Sequence, residues 1–306
     1  MKKAIYAYLL FQFLFFNIQA IRAQADNYNN IAGVDMGGGV STMLYNPEHG
    51  SCSISYGYSG ELHYTYFSGK YTGFGFGIRY TLFQATSIYN FTETTTGLSH
   101  PDNPNIIYDL NTTFTDWKER QILSVLSIPI EVKLRHPLNR KNVLVGGFGF
   151  QFDIPLHGKY IADGGSFSTS GYFPTTGHTL YNQPQHGFGT YGADEECEMQ
   201  VLNVGMSVLA DIGLRTTIGK NSSLYFGLYA SFGMINCVNS TNGDPLLVLD
   251  PSDPTQSIYN GSFASREVNY MRLFSAGATV GIDFGWLRKK HLSKVHRRTT
   301  RHGVFQ

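Results

Sequence analysis

The sequence predicts an all-β fold: an eight-stranded antiparallel up-and-down transmembrane β-barrel with short periplasmic turns and long extracellular loops. Three observations carry that expectation. Eight runs alternate apolar and polar side chains with the two-residue period of a strand. The connections between them are sorted by length, with tight turns at one end and long polar segments at the other, an asymmetry expected of a membrane barrel and not of a soluble sandwich. The N-terminus reads as an export signal, and no later run is long and apolar enough for a spanning helix, which leaves a barrel as the way into a membrane.

The export signal is residues 1–25. Lys2 and Lys3 precede the apolar run 4–16, and Ala23-Gln24-Ala25 supplies a small-residue cleavage site. Residues 26–287 are assigned to the barrel and 288–306 to a basic periplasmic tail. Of 23 basic residues, three lie in the signal and seven in the tail, so 13 remain in the body against 22 acidic ones. The tail is either solvated or drawn to anionic headgroups. The 22 Phe, 20 Tyr and 34 Gly suit short strands and aromatic girdles. Three cysteines are too few for a disulfide framework and lack metal-ligand spacing; Cys197 and Cys237, flanking strands six and seven, can pair if the loop bends.

The strands follow in order. Residues 31–45 alternate loosely and 54–67 set Tyr56, Tyr58, Leu62, Tyr64 and Tyr66 against Glu61 and His63; a turn at 68–70 leads to Phe74, Phe76, Ile78, Tyr80 and Leu82 against Arg79. Residues 90–120 are polar without sustained period and are taken as a long loop. Residues 121–135 and 142–155 form the next hairpin around a turn at 136–141, and 156–199 is the second long loop. Residues 200–218 and 222–235 form the third hairpin, 236–268 the third long loop, and 269–287 the closing strand. In that last run Phe274, Val280, Ile282, Phe284 and Trp286 belong to lipid, and Ser275, Thr279 and Asp283 to the lumen.

The polar faces collect Asp35, Glu61, His63, Arg79, Glu131, Lys133, Arg135, Asp153, Asp211, Arg215 and Asp283. In an eight-stranded barrel the interior is only wide enough for side chains, so these groups converge and need partners across the lumen. They read as a structural plug, with a narrow passive pore as the alternative. His157, His178 and His186 lie in sequence near Ser166, Ser168 and Ser170, the residue types of a lipid-modifying enzyme, but a Gly- and Thr-rich segment collects them by composition. Asp194, Glu195, Glu196 and Glu198 make a solvated acidic rim. No catalytic residue, cofactor or metal site is assigned, and no nucleic-acid partner is expected of an exported protein.

The motifs GFGFGIRYTL (73–82), LSIPIEVKL (126–134) and GIDFGW (281–286) resemble the outer-membrane β-barrel family widespread in Bacteroidetes, similar in architecture to OmpA and OmpX and including the secretion accessory protein PorT. The resemblance implies an eight-stranded outer-membrane barrel with no common activity. The tail beyond Trp286 departs from the pattern in which such chains end at the last aromatic residue. Together these readings give a non-enzymatic, monomeric, porin-like barrel in the outer membrane of a Gram-negative bacterium. Its partners would be outer-membrane lipid, lipopolysaccharide and an extracellular ligand or protein.

Overall fold

A strand with one apolar and one polar face needs a place for each, and this chain meets the need by closing on itself. The structure, a computed structural model, describes residues 29–100, 103–193, 195–199, 202–238, 244–250 and 257–286. The expected signal, 1–25, and the expected tail, 288–306, lie outside the described residues. Eight long strands form a ring: β1 (Asn30–Tyr45), β2 (Tyr56–Phe67), β3 (Thr72–His100), β4 (Asn103–Pro137), β5 (Asn142–Phe173), β6 (Gly205–Thr217), β7 (Ser222–Gly233) and β8 (Met271–Trp286). Each pairs antiparallel with its sequence neighbour. β8 then closes on β1, with Asn30 opposite Trp286 and Tyr45 opposite Met271. Closure leaves no free edge around the ring, so its backbone polar groups are paired within the protein.

Side-chain parity runs as the sequence predicts. Met36, Leu62, Phe76, Ile130, Phe148, Ile212, Leu228 and Val280 point outward and are exposed, while Thr65, Arg79, Glu131, Gln151, Ser207, Arg215 and Asp283 are buried inside. Such a belt of exposed apolar residues around all eight strands has no place in water; it is the wall that faces hydrocarbon. Arg272, at the far end of β8, lays its guanidinium over the rings of Tyr270 (4.7 Å) and Phe232 (5.5 Å). Three tight turns join strands at the end that also holds Asn30 and Trp286. Gly69 N–H donates to Thr72 O (3.3 Å), Leu138 N–H to Asn142 O (2.9 Å) and Gly219 N–H to Ser222 O (3.1 Å). The Asn139 side chain tightens the middle one by accepting from Lys141 N and Asn142 N.

The opposite end corrects the sequence reading. The loops expected at 90–120 and 156–199 are largely strand: β3, β4 and β5 run well past the apolar wall and stay paired, Thr95 opposite Leu110 and Leu110 opposite Gly171. Two features conceal them. Outside lipid the outer face has no need of apolar residues, and Thr92–Thr113 and Thr94–Asn111 side-chain hydrogen bonds hold the hairpin instead. Bulges also reset the parity. On β4 the inward set is Glu119, Gln121 and Leu123 on one side of Asp116 (φ 48°) and Leu110, Thr112 and Phe114 on the other. On β5 an irregularity near Leu156 and another near Gly165 do the same, so Asp153, then Tyr160 and Ala162, then Phe167 and Thr169 face inward. The segment Gly50–Ile54, whose last residue is expected in strand two, instead flanks β3. Residues 202–204 precede β6, which starts only at Gly205.

If the outer wall faces hydrocarbon, Ile130→Lys should lower the unfolding free energy from lipid vesicles by about 2–4 kcal/mol. Thr96→Lys on the β3 extension should change it by less than about 0.5 kcal/mol.

Candidate functional site

The lumen is built from one inward residue in every two along eight strands, so residues remote in sequence become neighbours. Toward the turn end three charged groupings fill it. His63 on β2 lies between two carboxylates, Nδ1 3.2 Å from Asp35 and Nε2 3.1 Å from Asp283, and Arg215 Nε donates to the other Asp283 oxygen at 2.5 Å. Lys133 Nζ contacts both Glu131 and Asp211, the latter at 2.5 Å, and Tyr225 O–H donates to Asp211 (3.3 Å). Arg79 binds Glu61 through Nε (2.7 Å) and Nη2 (2.6 Å) and reaches Gln151 (3.4 Å). Gln151 and Ser127 then donate to Asp153 at 2.7 and 2.6 Å, and Ser207 donates to its second oxygen.

Arg135 stands apart from these groupings. Its guanidinium covers the Phe67 ring at 4.0 Å and donates to Lys70 O (2.9 Å), closing the turn end. A search of the polar faces for charge passes over Gln151, Ser127, Ser207 and Tyr225, although they share the parity of the charged residues. Between the groupings lies a cavity of about 40 Å³, bordered by Glu61, Arg79, Asp211, Tyr225 and Tyr229. It has room for a few waters and no more.

Beyond Asp153 the interior turns apolar. Met43, Phe83, Leu123, Val125, Met271 and Leu273 are buried in one cluster with Tyr89, Trp117, Tyr160 and Phe167 from the extended strands. Into this cluster folds the described part of the third connection, residues 244–250 and 257–268, placing Leu246, Leu247, Tyr259, Phe263 and Val268 inside. The sequence reading has it extend outward; its apolar residues explain why it turns in. Acidic groups latch it: Glu119 accepts from Tyr259 O–H, Ser262 O–H, Ser262 N–H (3.2 Å) and Gln121 (2.5 Å). Glu93 pairs with Arg266 and accepts from Leu246 N–H (3.3 Å), and Glu267 accepts from His49 N–H (3.1 Å). Glu119, Tyr259 and Ser262 escape a sequence reading because each sits in a segment that resembles loop.

The remaining candidates do not assemble into sites. Cys197 and Cys237 are not bridged: Cys197 lies opposite Tyr160 on the strand Glu195–Glu198, while Cys237 lies beneath Gly205. The register of β6 and β7 sets Cys237 beside Asn203, whose N–H donates to Cys237 O at 2.8 Å. His186 packs on His100 (5.0 Å between rings) and Phe188, His178 lies opposite Phe173, and Ser166 and Ser168 lie opposite Gly192 and Thr190. None of these seryl groups hydrogen-bonds His157, His178 or His186 among the described residues. Of the acidic rim, Glu196 pairs with Lys159 at 2.8 Å, and Asp194 lies outside the described residues.

A closed antiparallel ring with an apolar outer wall and a polar, filled interior defines an eight-stranded membrane β-barrel. No family model and no curated protein matches the chain. Among solved structures it is similar to Neisserial surface protein A (NspA), at 10% identity over 84% of this chain and 97% of that one, with a TM-score of 0.35. It is also similar to the outer membrane protein OprG from Pseudomonas aeruginosa, at 8% identity over 87% and 100%, TM-score 0.38. Ail, the attachment invasion locus protein of Yersinia pestis, shares 12% identity over 83% and 99%, TM-score 0.27. All three scores fall below 0.5, so the fold rests on the chain's own strand ring.

Breaking a buried pair strands its partner. Arg79→Ala, which leaves Glu61 buried without its cation, should cost about 3–5 kcal/mol of unfolding free energy in vesicles, and the double variant Arg79→Leu/Glu61→Leu clearly less. Glu119 lies above the lipid-facing wall, and burial raises its carboxyl above the ordinary range against the opposing pull of its hydrogen bonds. A raised native pKa means the folded state holds more protons, so the contribution of Glu119 to stability is greatest below the unfolded value of about 4.3 and falls as pH rises through the native one. Glu119→Gln should flatten that decline in a pH series of unfolding midpoints.

Proposed function

We propose that the protein is a non-enzymatic outer-membrane barrel of a Gram-negative bacterium. Its lumen is a structural plug, and its working surface is the extracellular platform formed by the extensions of β3, β4 and β5. The observation that carries this reading is the filled mouth. Residues 244–250 and 257–268 occupy the space above the charged lumen, and the apolar layer of Met43, Phe83, Leu123 and Leu273 lies between them. A passive pore needs a continuous polar path, and a lipid-modifying enzyme needs a nucleophile within reach of its base. The packing favours neither.

The platform carries the exposed aromatic and apolar side chains Ile106, Ile107, Tyr172 and Tyr181 near its tip, the residue types that anchor protein contacts. On the outside of β4, Lys118 and Arg120 follow directly above Ile122, at the level where the apolar wall ends, which supports lipopolysaccharide headgroups as a second partner. Export through the signal 1–25, a monomeric state, and kinship with Bacteroidetes barrels of the OmpX type belong to the same proposal. The kinship is supported by the three strand motifs alone, and PorT's secretion role is not carried over.

In planar bilayers the refolded protein should give no stable single-channel steps; steady steps that change with Arg79→Gln would sink the plug reading. In intact cells, a Tyr181→Cys variant made with Cys52, Cys197 and Cys237 replaced by Ala should react with a membrane-impermeant maleimide, and absence of labelling would place the platform on the wrong side of the membrane.

A further inference from the structure

We propose that Asp35, His63 and Asp283 form a binding site for one divalent transition-metal cation of the Zn²⁺ type, entered from the turn end of the lumen. The three residues come from β1, β2 and β8, the strands that meet where the barrel closes. Gly33 on β1 lies opposite both His63 and Asp283, and Asp35 lies opposite Gly281. One ring nitrogen of His63 and one oxygen from each aspartate lie within 4.8 Å of one another. An imidazole nitrogen with two carboxylate oxygens is a donor set suited to Zn²⁺, whose bonds to such atoms are about 2.0–2.2 Å, and water from the adjoining cavity can complete the coordination.

Three independent features point to a ligand here. The Asp283 side chain is only 2% exposed, and its Oδ1 has the His63 ring nitrogen at 3.1 Å but no aligned hydrogen-bond donor, while the buried Oδ1 of Asp35 has no hydrogen-bond partner among the described residues. The two glycines let the three ligand side chains come together: a Cβ at Gly33 would collide with Asp283 Oδ1 and lie 2.6 Å from the His63 ring, and one at Gly281 would collide with the Asp35 carboxylate. Among the described residues the lumen holds six carboxylates (Asp35, Glu61, Glu131, Asp153, Asp211, Asp283) and four fixed cations (Arg79, Lys133, Arg215 and, at the turn end, Arg135), a difference that one divalent cation beside a neutral His63 makes up. Entry from the turn end follows from the packing, because Asp283 lies three residues from the end of β8 at Trp286 while the opposite mouth is filled.

The test is isothermal titration of Zn²⁺ into the tag-free, chelator-stripped full-length barrel in detergent, with folding checked by heat-dependent gel mobility. One saturable Zn²⁺ per chain is expected. His63→Gln and Asp35→Asn should weaken it at least about 100-fold, Gly33→Ala should weaken it as well, and Arg79→Gln should leave it within a few-fold. Lack of one-to-one binding in the unaltered protein, or binding indifferent to His63→Gln, overturns the proposal. Should the variants fail to fold, nitrogen NMR of the unaltered protein decides. A metal-bound ring nitrogen on His63 at saturating Zn²⁺ supports the site, whereas protons on both ring nitrogens show that protonation, and not a metal, offsets the carboxylates.

Discussion

Eight strands enclose an interior no wider than the side chains that fill it, and the rest of the structure depends on that narrowness. Every inward residue must touch another, so inward charge requires inward counter-charge at the same level. The chain meets this with pairs drawn from strands two apart around the ring: Lys133 on β4 with Asp211 on β6, Arg215 on β6 with Asp283 on β8. Glycine is the complement of the same constraint. Gly147 leaves room for Asp211 and Glu131, as Gly33 does for Asp283 and His63, because a Cβ at either place would occupy the volume the charged groups need.

The same ring behaves differently above the lipid-facing wall. There the outer face meets water and the strands no longer need an apolar exterior, but three of them still project and must cover their inner face. The third connection supplies the cover, with Leu246, Leu247, Tyr259 and Phe263 packing against Phe83, Trp117 and Tyr160. The molecule therefore has two interiors in series, a charged one inside the membrane and an apolar one above it, joined at the layer of Met43, Phe83, Leu123 and Leu273. Buried Glu119 is the principal polar group within the upper interior, and its cost is offset because Tyr259, Ser262 and Gln121 all donate to it.

How much of this is legible in the sequence follows from where period two survives. Inside the membrane the alternation is strict, since lipid outside and charge inside both punish a slip of one residue. Phe74 to Leu82, Ile128 to Leu134 and Val280 to Trp286 are therefore assigned to faces by their alternation alone. Asp116, Leu156 and Gly165 break the alternation at bulges, and a strand whose parity flips looks aperiodic, which is why the extensions of β4 and β5 read as loops.

The sequence by itself determined the number of strands in the ring and, along the lipid-facing wall, their inward and outward faces and the charges carried on the inner one, because each follows from local alternation and from the chemistry of the two solvents the strand separates. Tertiary structure alone decided which charges meet, that residues 244–250 and 257–268 fold into the mouth, and that Cys197 and Cys237 are not bridged. Those outcomes depend on the stagger of strands around a closed ring. His63, Asp35 and Asp283 are far apart along the chain and become neighbours only when β8 closes on β1 and β1 pairs with β2. No local pattern records that closure.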